Sequence, residues 1–361
     1  MFQLCSINQH DVKETVKREG GYTMKRSVVT SMFITICFFL MLPDHALARM
    51  YNIEVLQVTK IGPFEELYRG FTEELAKNGF VDGANLKINR TVIDFDVEKG
   101  GLWKKIGVLF SIKKEASRIV NAKPDLVLTI GTPSTKYAKD KIISAGIPLV
   151  FSGVAFPVEA GCKSLTEAGP GFTGASLYMD MNTSLKIIHL AFPDITKIGI
   201  VYTNDDNAKV HERQARELGP SFGISFLTKE VKKSDSLIPA AEELIGQGAQ
   251  GFLMPLDAYY GLRDFKPSRE LGQISIKHNV PMVTLVFYRF PGACLYLGSD
   301  FALIGSFSAQ HSVKILKGEA RPDDLPILRS KDLSIMVDTD VLKNLGIELP
   351  LEILQLAKSI K

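Results

Sequence analysis

The chain has few of the side chains that carry most enzyme chemistry, with six histidines and four cysteines in 361 residues. No Cys-x-x-Cys pair is present, which removes the simplest zinc and thiol-redox sites. No Gly-x-Gly-x-x-Gly follows the first expected strand, and Gly-x-x-x-x-Gly-Lys and His-Glu-x-x-His do not occur. Dinucleotide, phosphate-loop and zinc-protease chemistries therefore lack their usual backbone or ligand sets. No nucleophile elbow is read either. The histidines past residue 48 (His189, His211, His278 and His311) all fall in expected helices and read as surface or packing residues. No catalysis, cofactor or metal is expected. Charge of one sign is lacking too, since 43 Lys and Arg balance 40 Asp and Glu. Such a surface offers no basic stripe to nucleic acid, so no nucleic-acid partner is expected.

Long hydrophobic runs are also missing. The longest, Val28 to Leu42, is 15 residues, short of the roughly 20 that a membrane-spanning helix needs. Met24-Lys25-Arg26 precedes it, Pro43 ends it, and Ala46-Leu47-Ala48 supplies small residues beyond. This is the three-part layout of a secretory signal, with cleavage expected after Ala48. Residues 1–23 read as polar leader or as a start assigned too early. Past the signal only Cys162 and Cys294 remain, and two buried free thiols are favoured over one bridge.

What the chain does have is ordinary globular composition, 45% hydrophobic, in a regular alternation of elements. Ile53–Val58 reads as a strand, and Phe64, Leu67, Phe71 and Leu75 mark one helical face ending before Gly79. Strands follow at 84–95, 125–130 and 147–151, with helices at 112–121 and from the Gly131 loop to Ser144. The pattern restarts after Gly174, with helices at 182–191, 208–218, 237–247 and 267–278. Its strands fall at 197–202, 224–231, 251–256 and 280–286. Strands apolar on both faces and separated by helices indicate parallel sheets covered on both sides. The expected fold is α/β, two doubly wound parallel-sheet lobes joined by a hinge. Lobe one is expected at 49–174 with 300–325 returning to it, and lobe two at 175–299 with 326–361 associated. The Gly/Pro-rich stretch 168–174 and the segment 292–300 are the expected crossings. Glu98 to Ser111, with Trp103, has no assigned role.

In open α/β sheets ligands bind beyond the carboxyl ends of the strands. That rule selects Thr59 to Phe64, Gly131-Thr132-Pro133-Ser134-Thr135, the loop after Ser152 with Ala155 and Phe156, and Tyr202 to Asn207. It also selects Leu256 to Tyr260, with Asp257 and Tyr259, and Phe287 to Phe290, with Tyr288. The Gly131 loop opens a helix, so its free N–H groups suit a carboxylate, although Thr132 or Ser134 could simply cap that helix. Asn204, Asp205, Asn207 and Asp257 could hold an ammonium group, or serve as turn and cap residues. Phe64, Phe156, Tyr259, Tyr260, Phe287 and Tyr288 could form aromatic walls or pack in the core.

An ordered set of segments then carries a family likeness. These are Pro124 to Val127 leading into Gly131-Thr132-Pro133, Ile147 to Phe151, Pro157 to Gly161, Pro170 to Ser176 and Phe192 to Tyr202. Leu297 to Asp300, Ile315 to Glu319 and Asn344 to Pro350 complete it. The sequence resembles the ABC-transporter substrate-binding proteins of the periplasmic type I fold, on the branch with tryptophan and tyrosine uptake. That resemblance implies a periplasmic, monomeric receptor that binds a small solute and hands it to an ABC permease at the inner membrane. It also implies ligand contacts from the Gly131 loop, Asn204 and Asp257. Two departures stand out. Ala155-Phe156 replaces a common Thr-Asp, and Asp257-Ala258-Tyr259 replaces a common Asp-Asn-Thr, so a more apolar cleft is expected. The alternatives are a sensory receptor working with a separate membrane kinase and, less favoured, a two-lobed enzyme.

Overall fold

The computed structural model describes residues 49–93 and 102–360 of the chain. Strand β1 (Tyr51–Val58) is buried along most of its length and leads into helix α1 (Gly62–Lys77). Leu67, Phe71 and Leu75 form the buried stripe of α1, Pro63 starts it, and Gly79 past its end takes a φ of 87°. Proline at the start and a left-handed glycine past the end are favourable helix boundaries. There follow β2 (Leu86–Ile93), α2 (Leu102–Ala122), β3 (Leu126–Ile130), α3 (Thr132–Ser144), β4 (Leu149–Val154) and β5 (Phe172–Ser176). Part of the unassigned stretch thus lengthens a helix, with Ile112, Ala116 and Ile119 of α2 buried against the sheet.

The second half comprises α4 (Met181–Ala191), β6 (Lys197–Thr203), α5 (Asp206–Leu218), β7 (Ser225–Val231), α6 (Ile238–Gly246) and β8 (Phe252–Met254). It continues with α7 (Leu262–His278), β9 (Met282–Thr284) and β10 (Leu295–Gly298). Helix α8 (Phe301–Leu316) returns to the first half. The tail holds β11 (Leu328–Arg329), β12 (Ser334–Asp338), α9 (Thr339–Asn344), α10 (Leu351–Leu356) and β13 (Lys358–Ile360).

Two sheets result. The first runs β11-β5-β4-β3-β1-β2, parallel throughout. The second runs β13-β12-β10-β9-β8-β6-β7, parallel except where β10 meets β12. The fold is thus the α/β class of two doubly wound sheets. Helices α1 and α8 cover the first sheet so closely that a Cβ on Gly305 would sit 1.9 Å from the Leu67 carbonyl oxygen. One on Gly70 would sit 2.0 Å from the carbonyl of Ala302. Both glycines set the distance between the helices.

The expected crossing 168–174 runs into a strand before the chain crosses, whereas the expected segment 292–300 holds a strand and, at its end, the crossing. Phe172–Ser176 is β5 of the first sheet, and Leu295–Gly298 is β10 of the second. Their glycines mark close packing rather than chain reversal. A Cβ on Gly174 would lie 2.2 Å from the Phe151 carbonyl, and one on Gly298 lies 2.7 Å from the Phe287 nitrogen. The chain changes sheets just after those strands, at 177–180 and 299–300. It changes again at 330–333, because Leu328–Arg329 still pairs with β5.

Candidate functional site

Parallel strands bring their carboxyl ends to one edge of each sheet, and the loops leaving those edges face one another across the molecule. At the end of β1, Thr59 is buried with a φ of 71°, a region that β-branched residues avoid. Its N–H donates to the Ile93 carbonyl at 2.9 Å, and its own carbonyl accepts from Gln57 Nε2 at 2.7 Å. Phe64, in the first turn of α1, lies over the Gly131 turn, where an added Cβ would meet its ring at 3.0 Å.

Gly131 precedes α3 with a φ of 85° and donates its N–H to the Ser152 carbonyl. No side chain caps this helix. Ser134 Oγ donates to the carbonyls of Ile130 and Gly131, and Thr135 Oγ1 donates to Gly131 and meets Thr129 Oγ1 at 2.9 Å. Those two hydroxyls are spent inside the loop, and Pro133 is exposed. Thr132 alone reaches across, its Oγ1 donating to Asn207 Oδ1 at 3.2 Å. One turn further along α3, Lys136 lies 3.4 Å from Asp206. The N-termini of α3 and α5 therefore meet, one from each half.

In the second half, Asp205 caps α5 through the Asn207 N–H and pairs with part-buried Lys233 at 3.3 Å. Buried Asp257 accepts three hydrogen bonds, from Thr203 N and Thr203 Oγ1 at 2.8 Å and from Tyr259 N at 2.9 Å. Burial, reinforced by the Asp205 charge, raises its pKa to about 6 against the pull of Lys233. Three donors still leave it ionised at neutral pH. Burial works against the charge of Lys233, but Asp205 and Asp257 hold it protonated more firmly than an ordinary lysine. Asn204 is exposed and accepts from Lys209 Nζ, while Tyr202 packs in the core on the far side of β6.

The aromatic residues divide in the same way. Tyr259 and Tyr260 are core residues, their hydroxyls donating to the carbonyls of Asp235 and Val201 at 2.7 Å. Burial pushes the Tyr259 phenol up to about 12. Tyr288 stacks on Phe265 with centroids 5.9 Å apart and abuts the start of α1 at Gly62. Arg263, Asp264 and Phe265 interrupt the first turn of α7 with φ of 53°, 49° and 58°, a left-handed run beside which Phe265 stacks on Tyr288.

Ala155, Phe156 and Phe287 do meet at a common space. Together with Leu177, Met179 and Phe301 near the crossings, and His211, Leu256, Leu285, Val286, Gly298 and Ser299, they line a narrow cleft open on one side. Its walls come from both halves, and most of the side chains lining it are apolar, with His211 and Ser299 as polar members. His211 is the residue that sequence reading missed. It had read as a packing histidine, yet it stands one turn after Asn207 on α5, and residues four apart share a helix face. That spacing from a residue already assigned to a ligand loop was the available signal. Its Nδ1 accepts from the Leu256 N–H at 3.1 Å, and its ring meets Phe156 edge to face at 5.2 Å. Full burial lowers its pKa to about 4.

Two sequence strings carry no site. Gly219-Pro220-Ser221-Phe222-Gly223 spells Gly-x-Ser-x-Gly, against the expectation that no such elbow occurs. It is a short 3₁₀ turn running from a helix into a strand, whereas a nucleophile elbow runs from strand to helix. Gly246 to Gly251 spells Gly-x-Gly-x-x-Gly but precedes β8 instead of following a strand. Among the described residues, no group of three His, Cys, Asp or Glu could hold a metal ion, and no helix is long and apolar enough to cross a membrane. The expected signal segment lies outside the described residues. Cys162 and Cys294 are free and buried.

Comparison with known proteins agrees with this architecture. A family model described as "ABC transporter substrate binding protein" matches residues 52–361. A tyrosine-binding protein of Clostridioides difficile is 23% identical over 303 residues, covering 82% of this chain and 81% of that protein. The ligand-free, open structure of a substrate-binding protein with adhesive properties from Clostridium difficile is 25% identical. It superposes with a TM-score of 0.66, over 86% of this chain and 99% of that one. A Streptococcus pneumonia ABC domain in complex with L-Trp is 19% identical, with a TM-score of 0.72 over 86% of this chain and all of that one, and shares the fold.

Proposed function

The chain belongs to the ABC transporter substrate binding protein family, and from that premise we propose that it captures an amino-acid-like solute with an aromatic or apolar side chain for an importer. Family membership implies a small-molecule ligand and a membrane permease as partner. The observation that carries the finer reading is the cleft that Phe156, Phe287 and Met179 line at the crossings between the two sheets. The related tyrosine-binding protein and the L-Trp complex support the same solute class.

In this reading the uncapped N-terminus of α3 takes the solute carboxylate, since its first N–H groups and dipole favour an anion. Asp205 and Asp257 draw the ammonium group, and the side chain enters the cavity. The two sheets hinge at 177–180, 299–300 and 330–333, the motion expected of such receptors. The protein acts as a monomer outside the cytoplasm, after removal of the signal that ends at Ala48. A thermal-shift screen of amino acids, purines and small carboxylates tests the reading. A ligand at 100 times its Kd adds roughly 2.7 kcal/mol. Selective stabilisation by aromatic amino acids supports it, and none from any amino acid overturns it.

A further inference from the structure

We infer that His211 reads the buried end of the solute, donating its Nε2–H to a hydrogen-bond acceptor on an otherwise apolar ring. This rests on the cavity being the solute site. The argument begins with the tautomer. Nδ1 of His211 accepts the Leu256 N–H at 3.1 Å, so it carries no proton. A neutral imidazole with an unprotonated Nδ1 must carry its proton on Nε2. The ring is neutral at physiological pH because it is fully buried. Its orientation is fixed from two sides, by the Leu256 backbone and by the edge-to-face contact with Phe156 at 5.2 Å.

Nε2 meets no hydrogen-bond partner among the described residues, and it is not sealed away from solvent as the buried unpartnered atoms are. His211 lines the cleft, so this donor opens onto a space that Phe156, Met179, Leu285, Phe287 and Ser299 also line. A donor held in one tautomer discriminates by what faces it, because unlike the Ser299 hydroxyl it cannot turn to accept. A phenolic oxygen accepts the proton, a plain phenyl ring leaves the donor unsatisfied, and an indole N–H opposes donor with donor. Reversal of the tautomer is blocked, because it would strand the Leu256 N–H against a second N–H. The site is therefore built for a ring that bears an acceptor, and a hydroxyphenyl side chain is the form that matches.

The test is calorimetric titration of the full protein with L-tyrosine, L-phenylalanine and L-tryptophan, in the parent and in His211→Leu and His211→Gln. The parent binds L-tyrosine at least ten-fold more tightly than the other two. His211→Leu brings L-tyrosine to within three-fold of L-phenylalanine. His211→Gln, whose amide can accept from Leu256 and still donate inward, keeps part of the preference. A parent that prefers L-phenylalanine or L-tryptophan, or a tyrosine preference that survives in His211→Leu, overturns the inference. If the parent binds none of the three, the amino-acid reading fails, and p-cresol and toluene then decide the subsite separately. A shift of the His211 Nε2 resonance with p-cresol but not with toluene upholds the donor role, and no shift with p-cresol overturns it.

Discussion

Acidification should destabilise this protein through His211 in a way that one substitution removes. The imidazole is buried with a pKa lowered to about 4, against the ordinary value near 6.5 in the unfolded chain. Between those values the unfolded state binds more protons than the folded one, so stability falls as pH falls. The contribution is fully present above about pH 6.5 and is lost as pH drops through about 4. Two and a half pKa units correspond to about 3.4 kcal/mol at the acid limit, and to about 2.4 kcal/mol between pH 7 and pH 4.5. The structural cause is burial of the ring, and protonating Nδ1 would in addition set it against the Leu256 N–H that it now accepts. Urea unfolding of the parent and of His211→Gln at both pH values measures the effect. Buried His311 is lowered in the same direction, but it is present in both proteins and cancels in the difference. The parent should lose about 2.4 kcal/mol more than His211→Gln on going to pH 4.5. Equal losses in the two proteins would refute a buried, neutral His211.

Two further outcomes follow from packing. Gly305→Ala places a Cβ 1.9 Å from a backbone oxygen of α1, which no side-chain rotation can relieve, and should cost at least about 2 kcal/mol by calorimetry. Burial pushes the thiols of Cys162 and Cys294 up to about 12, so neither should take iodoacetamide in the native protein. Peptide mapping should find both labelled after unfolding in urea.

The parts of the fold legible in the sequence were those with a strong period and enough length. Leu67, Phe71 and Leu75 marked the buried face of α1, and the mostly apolar run 126–130 became the fully buried β3. The three-residue strands β8 and β9 showed as apolar runs, but β5, β10 and the tail strands escaped. In β5 and β10, moreover, the glycines that looked like turn signals are required by the carbonyl or amide of the neighbouring chain. The tail strands β11, β12 and β13 have two to five residues each and exist only through their pairing partners. Propensity alone gives such segments no identity.

The candidate site was legible as loops but not as side chains, and the Gly131 turn shows why. Its four polar and proline positions looked equivalent in sequence, yet a helix start offers two competing uses for a hydroxyl. Ser134 and Thr135 bond back to carbonyls at the end of β3 and at Gly131, which holds the turn and leaves the α3 amides uncovered. Thr132 faces the other way and meets Asn207. The same competition explains Asp205 and Asp257, which cap a helix and a turn while sharing Lys233. Their carboxylates already accept from groups of the chain itself and can meet only an ammonium group of the solute, so selectivity for its side chain does not come from them. It passes to the group one turn beyond Asn207, where α5 carries His211 into an apolar space. A histidine there gives no signal in composition or motif, because only the pairing of its Nδ1 with a distant backbone N–H fixes which of its nitrogens faces inward.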